Sequence, residues 1–92
     1  MLKHIVLFRL KDPAQAPELV LKLEELGNLP MVGGLETGVN VSDRPIAWDV
    51  GLYVSLQTEA DLEAYRVHPD HQTVLAFIKE VACECAVVDF HV

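Results

Sequence analysis

The side chains best suited to chemistry lie close together in the second half of the chain, where Tyr65 is followed by His68 and His71 on either side of Pro69. A helix usually ends before the residue that precedes a proline, and proline is favoured at the first position of the next helix. We therefore predict one helix that ends near Tyr65 and another that begins at Pro69. His71 then lies in a first helical turn, where partially positive backbone amides disfavour an imidazolium. A general base must be unprotonated, so His71 is a candidate base that removes a proton from the carbon next to a carbonyl group. The Tyr65 hydroxyl would donate a hydrogen bond to the enolate oxygen that develops.

Two other interpretations of these residues stay open. The Asp70 carboxylate beside His71 favours the imidazolium, so the net direction of the His71 pKa shift is undecided at this point. A structural interpretation is that His71 braces the helix start while Tyr65 is a core aromatic whose hydroxyl reaches water. His68 is expected to cap the helix. His68 and His71 are spaced as a metal pair could be, but no third ligand is evident, so we predict no metal site.

The composition predicts a single globular domain over residues 1–92, with no nucleic-acid or membrane partner. The chain is 51% hydrophobic and 23% charged, with a formal net charge of −7, which disfavours phosphate backbones and anionic lipid surfaces. No apolar run approaches the roughly 20 residues of a membrane-spanning helix. The opening residues lack a signal-peptide cleavage site, so we expect a cytoplasmic protein. Cys83 and Cys85 are interpreted as reduced, buried hydrophobes.

Hydrophobic periodicity predicts the order strand, helix, strand, strand, helix in two pieces, strand. The strands are placed at 2–10, 35–41, 47–56 and 85–92, and the helices begin near Pro17, after Thr58 and at Pro69. This order is typical of an α+β, ferredoxin-like βαββαβ fold, in which the helices cover one face of a four-stranded antiparallel sheet.

Both faces of the predicted sheet are apolar, although the helices can cover only one. The uncovered face carries Ile5, Leu7, Tyr53, Val88 and Phe90. That is too much apolar surface to leave in water. We therefore predict a homodimer whose sheets pack face to face, which gives a dimeric α+β barrel.

The covered face is where a small-molecule pocket is expected. In this topology the first and last strands are antiparallel neighbours, which places His4 near Asp89 as an imidazole–carboxylate pair or as a structural cross-strand hydrogen bond. Bulky side chains such as Trp48 and Phe8 could instead fill the pocket. The predicted substrate-binding residues are His4, Val6, Phe8, Trp48, Leu52, Val54 and Asp89.

With these residues in view, the chain resembles the stress-responsive A/B barrel (Dabb) domain family. The matching motifs are Lys3 to Lys11, Gly38-Val39-Asn40, Trp48-Asp49, Ala64-Tyr65 followed by His68-Pro69-Asp70-His71, and Val88-Asp89-Phe90. The resemblance implies a dimeric ferredoxin-like barrel. Its best-understood members, plant polyketide cyclases, carry out an intramolecular aldol condensation without cofactor or metal.

The resemblance also implies roles for individual residues. A histidine and a tyrosine that match His71 and Tyr65 act together in those cyclases, and the opening histidine of their pocket matches His4. Two classes of function follow for this chain: a cofactor-independent lyase or cyclase acting on a polyketide-like or other carbonyl compound, or a non-enzymatic small-molecule-binding or stress-associated dimeric domain. Cofactor-free monooxygenases share the barrel, but no residue pattern here indicates their chemistry. An open cavity that reaches both His71 and Tyr65 would favour the enzyme.

Overall fold

The computed structural model describes residues 1–92 as one antiparallel sheet with helices against a single face. The strands are β1 (Leu2–Leu10), β2 (Gly34–Val39), β3 (Val50–Leu56) and β4 (Ala82–His91), and the helices are α1 (Ala16–Glu24), α2 (Glu59–Val67) and α3 (Pro69–Val81). The strands lie in the spatial order β2-β3-β1-β4, and every pairing is antiparallel. The predicted α+β, ferredoxin-like fold is confirmed. None of the helices is both long and apolar enough to span a bilayer.

The break between α2 and α3 forms for the reasons expected from the sequence. Thr58 begins α2 by accepting a hydrogen bond from the Asp61 N–H at 3.1 Å. His68 is extended, as the residue before a proline prefers, and Pro69 takes the first position of α3. The Nδ1 atom of His68 accepts a hydrogen bond from the Asp70 N–H at 3.1 Å. His68 is thus the cap of α3, as predicted.

The core lies between the sheet and the helices. Buried and more exposed side chains alternate along β1, so that Val6, Phe8 and Leu10 are buried beneath the helices. Leu19 and Leu23 from α1 are buried in the same core. The opposite face of the sheet is uncovered in the single chain. Its large side chains are between 36% and 52% exposed, namely Leu7, Tyr53, Val88 and Phe90.

Strand β3 begins three residues later than predicted, because Asp49 ends the regular alternation. The Asp49 carboxylate accepts the Leu10 N–H at 2.8 Å, and its own N–H donates to the Phe8 carbonyl at 2.8 Å. Trp48, which is predicted to bind substrate on the helix-covered face, consequently does not lie on that face, so this part of the prediction is wrong. The indole lies on the opposite side of the sheet, with the Arg9 guanidinium carbon 4.3 Å from its ring centroid.

The ends of β2 and β4 also differ from the prediction. Strand β2 stops at Val39 because the Asn40 side chain bonds to Ser42, with Nδ2 donating to the Ser42 carbonyl at 2.7 Å. Strand β4 starts directly after α3 at Ala82, where a bulge opposite β1 leaves Cys83 outside the regular register. Cys83 and Cys85 are exposed rather than buried, since β4 is an edge strand that the helices do not fully cover.

Candidate functional site

A cavity of about 290 Å³ lies between the helices and the sheet. Its deepest wall is fully buried at Tyr65 and Phe8, while Cys85 and Val87 on the edge strand are exposed. The cavity is therefore deep at Tyr65 and reaches the surface along β4. Its volume is at the lower limit of the roughly 300–1,000 Å³ of typical ligand sites, so it suits a small occupant.

The structure brings most of the predicted site residues together around this cavity. They are His4, Val6, Phe8, Leu52, Tyr65, His71 and Asp89. Two predicted residues do not line it. Val54 faces the helices, but it is completely buried, paired with His4 across β1 and β3. Trp48 lies on the other side of the sheet, where it lines a surface concavity with Leu7 and Tyr53.

Further lining residues were not predicted as part of the site. They are Leu23, Leu26, Arg66, Leu75, Ile78, Cys85 and Val87. A signal for some of them exists in the sequence: Leu75 and Ile78 follow His71 by four and seven positions, which places all three on one side of α3. In the same way, Cys85 and Val87 alternate with Asp89 on one face of β4.

Three aromatic rings pack together at the polar wall of the cavity. The Tyr65 ring is near both His4 and His71, with centroid distances of 5.7 Å to His4 and 4.7 Å to His71. The His4 ring meets Tyr65 edge-on at 67°, an arrangement that aromatic pairs favour. Tyr65 thus packs against two imidazole rings.

His4 and Asp89 form the cross-strand pair that the topology predicted. They are direct neighbours in the β1–β4 register, and His4 Nδ1 lies 2.5 Å from Asp89 Oδ1. His4 is buried, and the carboxylate accepts the hydrogen bond from its ring. This contact fixes the orientation of the imidazole against Tyr65.

The Tyr65 side chain is fully buried, and its hydroxyl has no hydrogen-bond partner within the chain. Burial raises the pKa of Tyr65 to about 12, so the phenol keeps its proton at neutral pH. Buried tyrosine hydroxyls normally find a partner. The Tyr65 O–H is accordingly an unused hydrogen-bond donor on a residue that lines the cavity.

His71 combines a lowered pKa with a second unsatisfied atom. Burial is the main cause that lowers the pKa of His71, the Arg66 backbone acts in the opposite direction, and the charges of His4 and Arg66 lower it further. In the sequence, Asp70 left the direction of the His71 pKa shift open. In the structure Asp70 is exposed, and its carboxylate lies near His68, with Asp70 Oδ2 4.0 Å from His68 Nδ1. The ring of His71 is therefore neutral near pH 7, and its buried Nδ1 has no hydrogen-bond partner.

The site thus offers a protonated phenol and a neutral imidazole close together, in a cavity whose other lining residues are mostly apolar. Such a pair can donate a hydrogen bond to a carbonyl oxygen and accept a proton from a neighbouring atom. No three His, Cys, Asp or Glu side chains come together as a metal site would require.

The chain is similar in sequence and fold to several known proteins. It is 32% identical over 88 residues to an uncharacterised protein of Streptomyces coelicolor, covering 89% of this chain and 91% of that protein. A crystal structure from Thermobifida fusca, described as a dimeric ferredoxin-like protein of unknown function, superimposes with a TM-score of 0.88 at 27% identity, covering 99% of this chain and 90% of that one. A hydroxynitrile lyase from Passiflora edulis shares the fold, with a TM-score of 0.84 at 16% identity over 99% of this chain and 92% of the lyase.

The sequence pattern of one family extends over nearly the whole chain, from residue 2 to residue 92. It spans the cavity-lining residues of β1, the α2–α3 junction and β4 alike. The chain belongs to the stress responsive A/B barrel domain family.

Proposed function

We propose that this protein is a cofactor-independent lyase or cyclase that acts on a small carbonyl compound, with His71 as the base and Tyr65 as the hydrogen-bond donor. The observation that supports this most is the pair of buried, unpartnered polar atoms, Tyr65 Oη and His71 Nδ1, on residues that line one cavity. Leaving two such groups unsatisfied costs about 1–3 kcal/mol each. A substrate that offers an oxygen and an acidic proton would satisfy both.

In the proposed reaction, neutral His71 removes a proton from the carbon next to the carbonyl. The electron pair of that C–H bond moves to the carbonyl group, and the resulting enolate oxygen is stabilised by the Tyr65 O–H. The enolate carbon then attacks a second carbonyl carbon to form a C–C bond, and His71 returns its proton to the new alkoxide. The same steps in reverse cleave a C–C bond. His4, fixed by Asp89, packs edge-on against the Tyr65 ring and helps to orient it.

The volume of the cavity limits the size of the substrates that could bind. About 290 Å³ has room for a compound of about one ring, and its apolar wall of leucine, isoleucine and valine side chains suits a hydrocarbon body. Cyanohydrins belong among the candidates because a base can remove their hydroxyl proton as cyanide leaves, and because the hydroxynitrile lyase from Passiflora edulis has this fold.

The test is turnover of a panel of small ketones, aldehydes, β-hydroxy ketones and cyanohydrins by the wild type, Tyr65→Phe and His71→Gln. Each variant is expected to lose at least about a hundredfold in rate, since general acid–base groups contribute about 10²–10⁴. His91→Gln is the matched control, because this exposed histidine contacts Glu59 away from the cavity. Turnover that survives His71→Gln would contradict the base assignment.

The second candidate is a non-enzymatic small-molecule-binding domain. It is favoured by the small volume of the cavity and by the complete burial of Tyr65, which leave little room for two reacting groups. Saturable binding of panel compounds without turnover of any of them would select this function over the first.

We also propose a homodimer formed through the uncovered sheet face, in the cytoplasm. The face exposes Leu7, Tyr53, Val88 and Phe90, and the Thermobifida fusca structure is described as dimeric. Size-exclusion chromatography with light scattering should give twice the chain mass, and Phe90→Glu should reduce it to the mass of one chain. A wild-type mass of one chain at micromolar concentration would contradict the dimer. Retention of the protein in the cytoplasmic fraction of cells would support its location.

A further inference from the structure

We propose that the cavity takes a small apolar carboxylic acid, with Arg66 as the residue that selects for the carboxylate. This inference rests on the proposed function only in that it concerns the same cavity, and it adds the chemical class of the ligand. Arg66 is the only lysine or arginine among the lining residues.

The charges around the cavity favour one anionic group. The only acidic residue that lines it is Asp89, and that carboxylate already accepts a hydrogen bond from His4. Tyr65 stays protonated, so it contributes no negative charge. A guanidinium matches a carboxylate with two parallel hydrogen bonds, which a neutral group of the same shape cannot reproduce.

Arg66 is free to meet a ligand. Its one charged partner is Glu63, one helical turn earlier, with Arg66 Nη1 3.0 Å from Glu63 Oε2. Both side chains are more than 60% exposed, and such exposed pairs contribute little and break readily. The backbone at Arg66 is nevertheless fixed, because the Gln72 side chain donates to its carbonyl at 2.7 Å. The exposed Arg66 guanidinium therefore extends from a backbone position that is fixed beside the cavity.

The position of Arg66 also determines how the ligand lies. Arg66 is exposed, whereas its neighbour Tyr65 is fully buried at the deep wall. A carboxylate bound by Arg66 thus lies at the solvent side of the cavity. The apolar body of the ligand then extends inward along Leu75 and Ile78 towards Tyr65 and His71.

The test compares phenylacetate with its uncharged analogue phenylacetamide, by NMR titration of the ¹⁵N-labelled protein near pH 7. The wild type is expected to bind phenylacetate about tenfold more tightly, the effect of a charge-assisted hydrogen-bond pair at an exposed position. Arg66→Gln should abolish this preference, because it weakens phenylacetate binding far more than phenylacetamide binding. Arg66→Lys should retain part of it, because the charge remains while the paired geometry is lost.

Glu63→Gln is the matched variant, and it is expected to have the opposite effect to Arg66→Gln on the preference for phenylacetate. It removes the competing carboxylate, so the preference for phenylacetate should increase about twofold to threefold. All these positions are exposed, so the fold is expected to persist, and the amide spectrum of each variant verifies this. Equal wild-type affinity for the two compounds, binding of neither, or a preference that survives Arg66→Gln would overturn the proposal.

The outcome is separable from that of the proposed function. A carboxylate preference that depends on Arg66, without turnover of any panel compound, supports the ligand class while the reaction fails. Turnover of neutral ketones that Tyr65→Phe abolishes, with no preference for phenylacetate, supports the reaction while the ligand class fails.

Discussion

Replacing Tyr65 by phenylalanine is expected to stabilise the ligand-free protein while it abolishes function. The Tyr65 hydroxyl is buried without a hydrogen-bond partner, so the folded state carries its full desolvation cost. That cost is about 1–3 kcal/mol, and phenylalanine removes it while keeping the ring that packs against His4 and His71. We expect the free energy of unfolding to increase by about 1–2 kcal/mol, and Tm to increase by about 4–8 °C for each kcal/mol.

The assay is urea unfolding of the ligand-free protein, followed by circular dichroism at one fixed protein concentration. The concentration must be fixed because the stability of a dimer depends on it. His91→Gln is the control, since His91 is exposed and contacts Glu59 away from the cavity; its change should stay within about 0.5 kcal/mol. If Tyr65→Phe instead lowered the free energy of unfolding by about 1 kcal/mol or more, the Tyr65 hydroxyl would have a hydrogen-bond partner in the folded protein.

Three further predictions concern the surroundings of this tyrosine. Asp89→Asn should lower the free energy of unfolding by about 1–2 kcal/mol in the same assay, because buried His4 loses its charged partner, whereas the exposed Glu84→Gln should change it by less than about 0.5 kcal/mol. The pKa of His71 is lowered in the folded protein, so the unfolded chain binds that proton more tightly. The free energy of unfolding should therefore fall as the pH decreases through about 6.5, and should level off below the folded-state pKa of His71. His71→Gln should flatten this part of the urea-unfolding pH profile, and an unchanged profile would contradict the lowered pKa. Ile78→Phe should fill part of the cavity and weaken phenylacetamide binding at least about tenfold in an NMR titration with little loss of stability, and unchanged binding would show that the ligand lies elsewhere.

The sequence was most informative where local rules are strong. Pro69 defined the junction between α2 and α3, which puts Tyr65 and His71 on successive helices, and the antiparallel pairing of β1 with β4 brought His4 beside Asp89. The pattern of apolar residues on both sides of β1 correctly indicated a face that the helices leave uncovered. These features follow from proline geometry, strand alternation and topology, none of which needs three-dimensional coordinates.

The parts that the sequence did not predict depend on long-range contacts. In the sequence, Trp48 continues the alternation of apolar and polar residues seen in β3. Two hydrogen bonds between Asp49 and β1 end this alternation at Asp49, and the Trp48 indole lies against Arg9 on the other face of the sheet. Val54 has the expected orientation, but the depth of the cavity, which decides whether Val54 reaches it, depends on how α1 and α3 pack. Arg66 gave no signal, because an exposed arginine in a helix is most often only a solvated charge.

The proposed function requires that His71 and Tyr65 together remove a proton next to a carbonyl group. Exchange of the methyl protons of acetophenone for deuterium in D₂O, followed by ¹H NMR, tests this first step without knowledge of the natural substrate. We predict that the wild type and His91→Gln accelerate the exchange above the buffer rate, and that His71→Gln and Tyr65→Phe do not. Exchange at the buffer rate with the wild type, or the same acceleration in all four proteins, would show that these two residues do not catalyse proton removal.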